Sequence, residues 1–188
     1  SLLSWHGKLR VLGDLEYLKL VYPKPDEPTM VAWVKRAWLK KHTQLSSPKI
    51  HIYAPACTEE WGPETPEVSG IGASESQIVE LARWLKRKGF SVTVFGGTPA
   101  LEVESGVTWR HNKEFDHRQP CDLLIAHRAP WIAHRDDLAA KRTYVWLHDQ
   151  PQSFSHAAFL PHLHERVSRY VSLTQTMAQN YQAMHNVP

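Results

Sequence analysis

From about Lys49 onward, short apolar runs alternate with stretches of helical spacing. Lys49-Ile50-His51-Ile52-Tyr53-Ala54 predicts a strand, followed by a loop rich in Pro and Gly from Pro55 to Gly72. Ile78, Leu81, Ala82 and Leu85 fall at i, i+3, i+4 and i+7 and predict an amphipathic helix, with Arg83, Lys86 and Arg87 on its other faces. Ser74 is its expected N-cap, Glu75 suits the positive helix start, and Gly89 fits the C′ position. Ser91-Val92-Thr93-Val94-Phe95 predicts a second strand that Gly96-Gly97 stops, and Val107-Thr108-Trp109 a weak third. Cys121-Asp122-Leu123-Leu124-Ile125-Ala126 predicts a fourth, whose nearly continuous apolar run suits burial on both faces. Pro130 to Lys141 reads as helical, Thr143 to Leu147 as a fifth strand, Phe159 to Val167 as a helix and Tyr170 to Leu173 as a sixth strand. Thr174 opens a last helix to about His185. Such alternation predicts a parallel sheet with right-handed crossovers, a Rossmann-like doubly wound α/β domain over residues 49–188.

Residues 1–48 do not continue the alternation. Thr29 to Leu45 has the pattern of one amphipathic helix, with Val31, Val34 and Trp38 along one side and Lys35, Arg36, Lys40 and Lys41 elsewhere. Pro23, Pro25 and Pro28 separate it from a Leu-rich piece, Leu9 to Leu20. The expectation is a helical N-terminal extension over 1–48, or the tail of an upstream region. A basic helix carrying Trp33 and Trp38 can lie on an anionic membrane surface, so one reading is peripheral membrane contact through residues 29–45. Packing of its apolar side against protein is the commoner fate of such a helix.

Composition narrows the classes. The 188 residues carry 22 Lys+Arg against 19 Asp+Glu, a formal net charge of +3 with 12 His neutral, which requires no polyanionic partner. No basic stripe interleaves with aromatics, so no nucleic-acid partner is expected. Two cysteines, Cys57 and Cys121, make neither a disulfide framework nor a metal set, and His162 and His164 would diverge on a helix, so no metal site is expected. No apolar run approaches the roughly 18 residues of a membrane span, and the first residues lack a signal-peptide layout, so the expected location is cytoplasmic. The chain opens at Ser1 and stops directly after a helical pattern, which suggests a fragment of a longer protein.

In an open α/β sheet ligands bind beyond the carboxyl ends of the strands, where three loops of this chain should gather. Ser69-Gly70-Ile71-Gly72-Ala73-Ser74-Glu75 precedes the first helix, and glycines at a helix start let free N–H groups approach a phosphate. It is not the dinucleotide fingerprint: Glu75 stands where a third glycine belongs, and the loop does not follow its strand directly. A plain N-cap with flexible glycines explains that loop equally well. His127-Arg128-Ala129-Pro130 ends the fourth strand and His148-Asp149-Gln150-Pro151 the fifth. A strand-end His can hydrogen-bond a sugar hydroxyl, and Asp149 can hold a hydroxyl or its neighbour His148. One such His is usually structural; two on consecutive strands facing one cleft argue for a site.

Taken together these segments resemble a family. Gly70-Ile71-Gly72-Ala73-Ser74-Glu75, the helix from Ile78 to Leu85, and Lys88-Gly89-Phe90-Ser91-Val92-Thr93-Val94-Phe95 resemble the start of retaining nucleotide-sugar glycosyltransferases of the GT-B fold, family 4-like. Asp122 to His127 is similar to their strand ending in His, Val145 to Asp149 to their next strand ending in His-Asp, and Tyr170 to Pro188 to the strand and helix before their second domain. The resemblance covers about residues 49–188, with Ala73 in place of the usual second glycine and Phe90 in place of a frequent His.

The resemblance implies the N-terminal, acceptor-side half of a two-domain, hexosyltransferase-like enzyme, inactive or nearly so without its C-terminal donor domain. Its substrates would be a nucleotide-sugar donor and a carbohydrate or other acceptor, with retention of configuration, no bound metal and no further cofactor. By the same carry-over Gly72 and Ala73 offer backbone contacts to the donor diphosphate, Gly70 and Ser74 support that loop, and His127, His148 and Asp149 line the reacting cleft. Two other classes compete. One is a non-catalytic Rossmann-like module binding a carbohydrate or a partner, of which Ala73 is an early sign. The other is an NAD(P)- or S-adenosylmethionine-dependent enzyme, against which the Phe95-Gly96-Gly97 strand end counts, since it offers no acid for a ribose.

Overall fold

The computed structural model describes the backbone of residues 17–24 and 27–35, together with residues 47–56, 59–153 and 157–188. The chain divides into two units, Ser1–Ser46 and Ser47–Pro188. In the first, β1 (Tyr17–Lys24) and β2 (Glu27–Lys35) form an antiparallel hairpin, with Leu18 opposite Val34 and Leu20 opposite Ala32. The helix expected over 29–45 is therefore not formed over 29–35, and residues 36–46 lie outside the described residues. Thr29, Val31, Trp33 and Val34 are β-branched or aromatic and favour a strand, and every strand of a two-stranded hairpin is an edge, where Pro28 is tolerated. Membrane contact through a basic helix loses its footing in that segment.

The second unit runs β3 (Lys49–Tyr53), α1 (Thr65–Val68), α2 (Ala73–Arg87), β4 (Ser91–Glu104), β5 (Val107–His111), β6 (Leu123–His127), β7 (Thr143–Leu147), β8 (Arg169–Ser172) and α3 (Gln175–His185). Its six-stranded sheet has the order β5-β4-β3-β6-β7-β8. Counted within the sheet this is 3-2-1-4-5-6, the Rossmann order, and the direction of winding reverses between β3 and β6. All neighbouring pairs are parallel except β4 and β5, whose partners ascend together from Thr93–Thr108 to Gly96–His111 and run opposite from Glu102–Trp109 to Glu104–Val107. That pair is a hairpin whose two turn residues, Ser105 and Gly106, have φ of 50° and 75°. Such left-handed pairs match the twist of the flanking strands.

The two faces follow from the pleat. Ile50, Ile52, Val92, Val94 and Ile125 pack against Ile78, Val79, Ala82 and Leu85 of α2. Leu124, Ala126, Val145 and Leu147 face the other way, against Leu160, Leu163, Met177 and Tyr181. Two expectations beyond the sheet need correction, but Gly96-Gly97 does end the straight run of the second strand: the β5 partners of Thr93 to Gly96 ascend and those of Glu102 to Glu104 descend, so β4 reverses direction between them. Those glycines also form a notch for the buried Trp61: a Cβ at Gly96 would lie 2.6 Å from Trp61 Cζ2, and one at Gly97 2.6 Å from Trp61 Nε1. Trp61 N–H also donates to the Gly97 carbonyl at 3.3 Å, so the loop after β3 is pinned to β4.

The helix expected over 130–141 is only a 3₁₀ turn, Pro130–His134. Beyond it Asp136 and Asp137 are drawn outward by Arg166, at 2.6 Å, and His117, at 2.8 Å. The helix expected over 159–167 is a 3₁₀ segment, Ala157–His162, because Pro161 inside it has no N–H to donate. The last helix forms as expected. The Thr174 side chain accepts from Met177 N–H at 3.1 Å, and α3 buries Met177 and Tyr181. Thr174→Ala removes that cap and should cost about 1 kcal/mol. Urea unfolding would read this as a lower midpoint at unchanged slope.

Candidate functional site

The carboxyl ends of β3, β6 and β7 gather the three loops at the reversal point between β3 and β6. Gly72, not Ser74, is the N-cap of α2, and Gly70 turns the chain into it with φ 73°. Gly70 has open space where a Cβ would be, so its requirement is the backbone angle alone. Gly72 is different: a Cβ there would lie 2.5 Å from Glu75 Oε2. Ser74 is buried and its hydroxyl donates to the same carboxylate at 2.6 Å. Glu75 thus folds back over its own helix start, where negative charge is favoured. The first-turn N–H groups of Ala73, Ser74 and Glu75 have no carbonyl within the helix to bond.

His127 is the last residue of β6 and only 2% exposed. Its ring meets Trp146 and His148 edge-on, each at 5.3 Å between centroids. Nε2 is buried with no hydrogen-bond partner among the described residues. Burial, and then the neighbouring His148 and Arg128, push its pKa down to about 3, so the imidazole is uncharged at neutral pH. His148, one residue past β7, is also depressed by burial; Asp149 and Glu75 pull it upward and Arg128 downward. Its Nε2 likewise lacks a partner among the described residues.

Asp149 is engaged rather than free. Arg128 Nε donates to Asp149 Oδ2 at 2.7 Å, both side chains are a little over a quarter exposed, and Arg128 Nη1 donates to the Ala56 carbonyl at 3.3 Å. Tyr181 of α3 donates its hydroxyl to the Asp149 carbonyl at 2.8 Å. The structure therefore brings together His127, His148 and Asp149. Sequence reasoning passed over Arg128, Glu75 and Tyr181 as site residues. A charged residue immediately after a strand-end His was the available signal for Arg128.

Chemically, two uncharged imidazoles can donate or accept hydrogen bonds, the fit for hydroxyl-bearing ligands. A ring that protonates only near pH 3 is a poor general acid or base at neutral pH. Cys121 is no nucleophile: burial, with Asp122 second, raises its thiol to about 11, and Cys57 lies outside the described residues. Among the described residues no group of three or more His, Cys, Asp or Glu is placed to hold a metal ion, and no helix is long and apolar enough to cross a membrane. No protein-family model matches the chain, and no curated protein matches it.

Proposed function

We propose that residues 47–188 are the N-terminal, acceptor-side domain of a retaining glycosyltransferase that moves a sugar from a nucleotide-sugar donor and works with a C-terminal donor domain. The observation that carries this reading is His127: a buried, uncharged imidazole with an unbonded Nε2, at the reversal point of a Rossmann-ordered sheet. On this reading His127 and His148 hydrogen-bond hydroxyls of the sugar undergoing transfer. The first-turn N–H groups of α2 favour the charge that develops on the leaving diphosphate. Asp149 acts through Arg128 rather than on the substrate. The chain alone has little or no activity.

Transfer or hydrolysis of a nucleotide sugar by the full-length gene product tests the reading. His127→Ala with His148→Ala should lower turnover by about 10²-fold or more, as loss of well-placed hydrogen-bond donors does. Unchanged turnover in that double variant, or a gene with no second Rossmann-like domain, would sink it. A second reading, a non-catalytic module that binds a carbohydrate or a partner, is favoured by Ala73 in the glycine loop and by the ion-paired Asp149 carboxylate. It predicts saturable binding without turnover, lost in the same double variant.

A further inference from the structure

Arg128 is a non-glycine residue in the left-handed region, with φ 55°. For an L-residue with a Cβ that conformation is disfavoured, so the surroundings must hold it there. Its N–H donates to the Trp146 carbonyl at 3.0 Å, which continues the β6–β7 ladder by one bond while the backbone turns away. The turn sends the side chain across the end of β7. There the guanidinium reaches Asp149 at 2.7 Å and, with a second nitrogen, the Ala56 carbonyl at 3.3 Å. Asp149 is in turn fixed from below by the fully buried Tyr181. The chain of bonds Ala56–Arg128–Asp149–Tyr181 joins the loops after β3, β6 and β7 to the last helix. His127 and His148 are the immediate neighbours of its two central members.

We propose that Arg128 is the positioning residue of this site: its guanidinium locks the loop after β3 to the loop after β7, and so holds in place the loops that flank His127 and His148, whose strands the β6–β7 ladder already pairs. A planar fork does this because its two donors point in fixed directions from one rigid group; the ammonium of lysine supplies the charge without the geometry. The inference does not depend on the transferase reading. It concerns how the cleft is held, whatever occupies it.

The test compares Arg128→Met and Arg128→Lys in the 188-residue chain by backbone hydrogen exchange and by NMR titration of the histidine rings. Charged groups acting on the two rings are Arg128, Asp149 and Glu75, and only the first is altered. Arg128→Met should raise exchange at Ala54, Ala56 and residues 148–150 by about tenfold or more and move the His148 midpoint upward, because a neighbouring positive charge is gone. Arg128→Lys should leave the histidine midpoints near the parent values while raising exchange like the Met variant. Full restoration of protection by lysine would mean that charge alone suffices, and would overturn the proposal. So would unchanged exchange in both variants. If Arg128→Met does not fold, the lysine variant decides by itself. No nucleotide sugar enters these measurements, so their failure is separable from failure of the transferase reading.

Discussion

Gly97→Ala should destabilise the protein by about 3 kcal/mol, a large loss for a change of one methyl group on a strand whose φ needs no glycine. The reason is steric. A Cβ at this position would overlap Trp61 Cδ1 and stand 2.6 Å from Nε1 and 2.9 Å from the Glu59 carbonyl. Neither obstacle is the free end of a flexible chain: one is an indole only 2% exposed, the other is backbone. Relief requires moving Trp61 out of its notch, and losing a buried Trp altogether costs about 3–5 kcal/mol, which bounds the effect from above. Trp61 also packs edge-on against the fully buried Trp109, at 6.2 Å between centroids, so a shift reaches the β5 edge of the core. A double-mutant cycle decides the mechanism. In a Trp61→Ala background the obstacle is gone, and Gly97→Ala should then cost well under 1 kcal/mol in urea unfolding. An equal cost in both backgrounds would show that the notch is not what Gly97 serves. There is a consequence for the site too. Trp61 anchors the loop that presents the Ala56 carbonyl to Arg128, so the Gly97 variant should also loosen residues 54–56.

That same pair explains what the sequence made legible. α2 was readable because Ile78, Leu81, Ala82 and Leu85 repeat at the helical period and Gly89 ends the helix with φ 93°. β6 was readable because its apolar run has no polar interruption from Leu123 to Ala126. Gly96-Gly97 was readable as the end of a straight strand run, but not its second purpose, a notch for a tryptophan brought in from the loop after β3. The segment 29–35 was misread: over so few residues, Val31 and Val34 satisfy a helical spacing without excluding an extended one. At the site, the strand-end positions of His127 and His148 followed from the alternation of elements. Their closeness also follows, because adjacent parallel strands that pair His127 with Trp146 must bring the next residues of β7 alongside. The Arg128–Asp149 bond did not follow. It depends on a left-handed φ at Arg128, which no residue type other than glycine announces.

Acid stability should depend strongly on His127. In the unfolded chain its imidazole titrates near 6.5, whereas in the folded protein burial, with His148 and Arg128 adding to it, holds the value at about 3. Between those two pH values the unfolded state binds a proton that the folded state refuses, so stability must fall as pH falls through this window. Above pH 6.5 neither state is protonated and the ring has no such effect; below about pH 3 both are, and the loss is complete. At about 1.4 kcal/mol per pH unit the whole window is worth roughly 5 kcal/mol, and the part between pH 6.5 and pH 4 roughly 3 kcal/mol. His127→Asn keeps a polar group of similar reach but cannot take up the proton. Its packing cost is the same at every pH, so the comparison isolates the titration. At pH 7 the variant should be the less stable protein; at pH 4 it should have gained roughly 3 kcal/mol relative to the parent. His51 and His148 are also depressed by burial and will tilt both curves downward in acid, but they are present in both proteins and largely cancel in the difference. Parallel stability curves in urea unfolding at the two pH values would mean that His127 takes up its proton equally in the folded and unfolded states, and that burial does not depress it. The same burial makes a kinetic statement: with His127 uncharged down to about pH 3, an acid limb near neutral pH in any activity of this cleft must belong to another group.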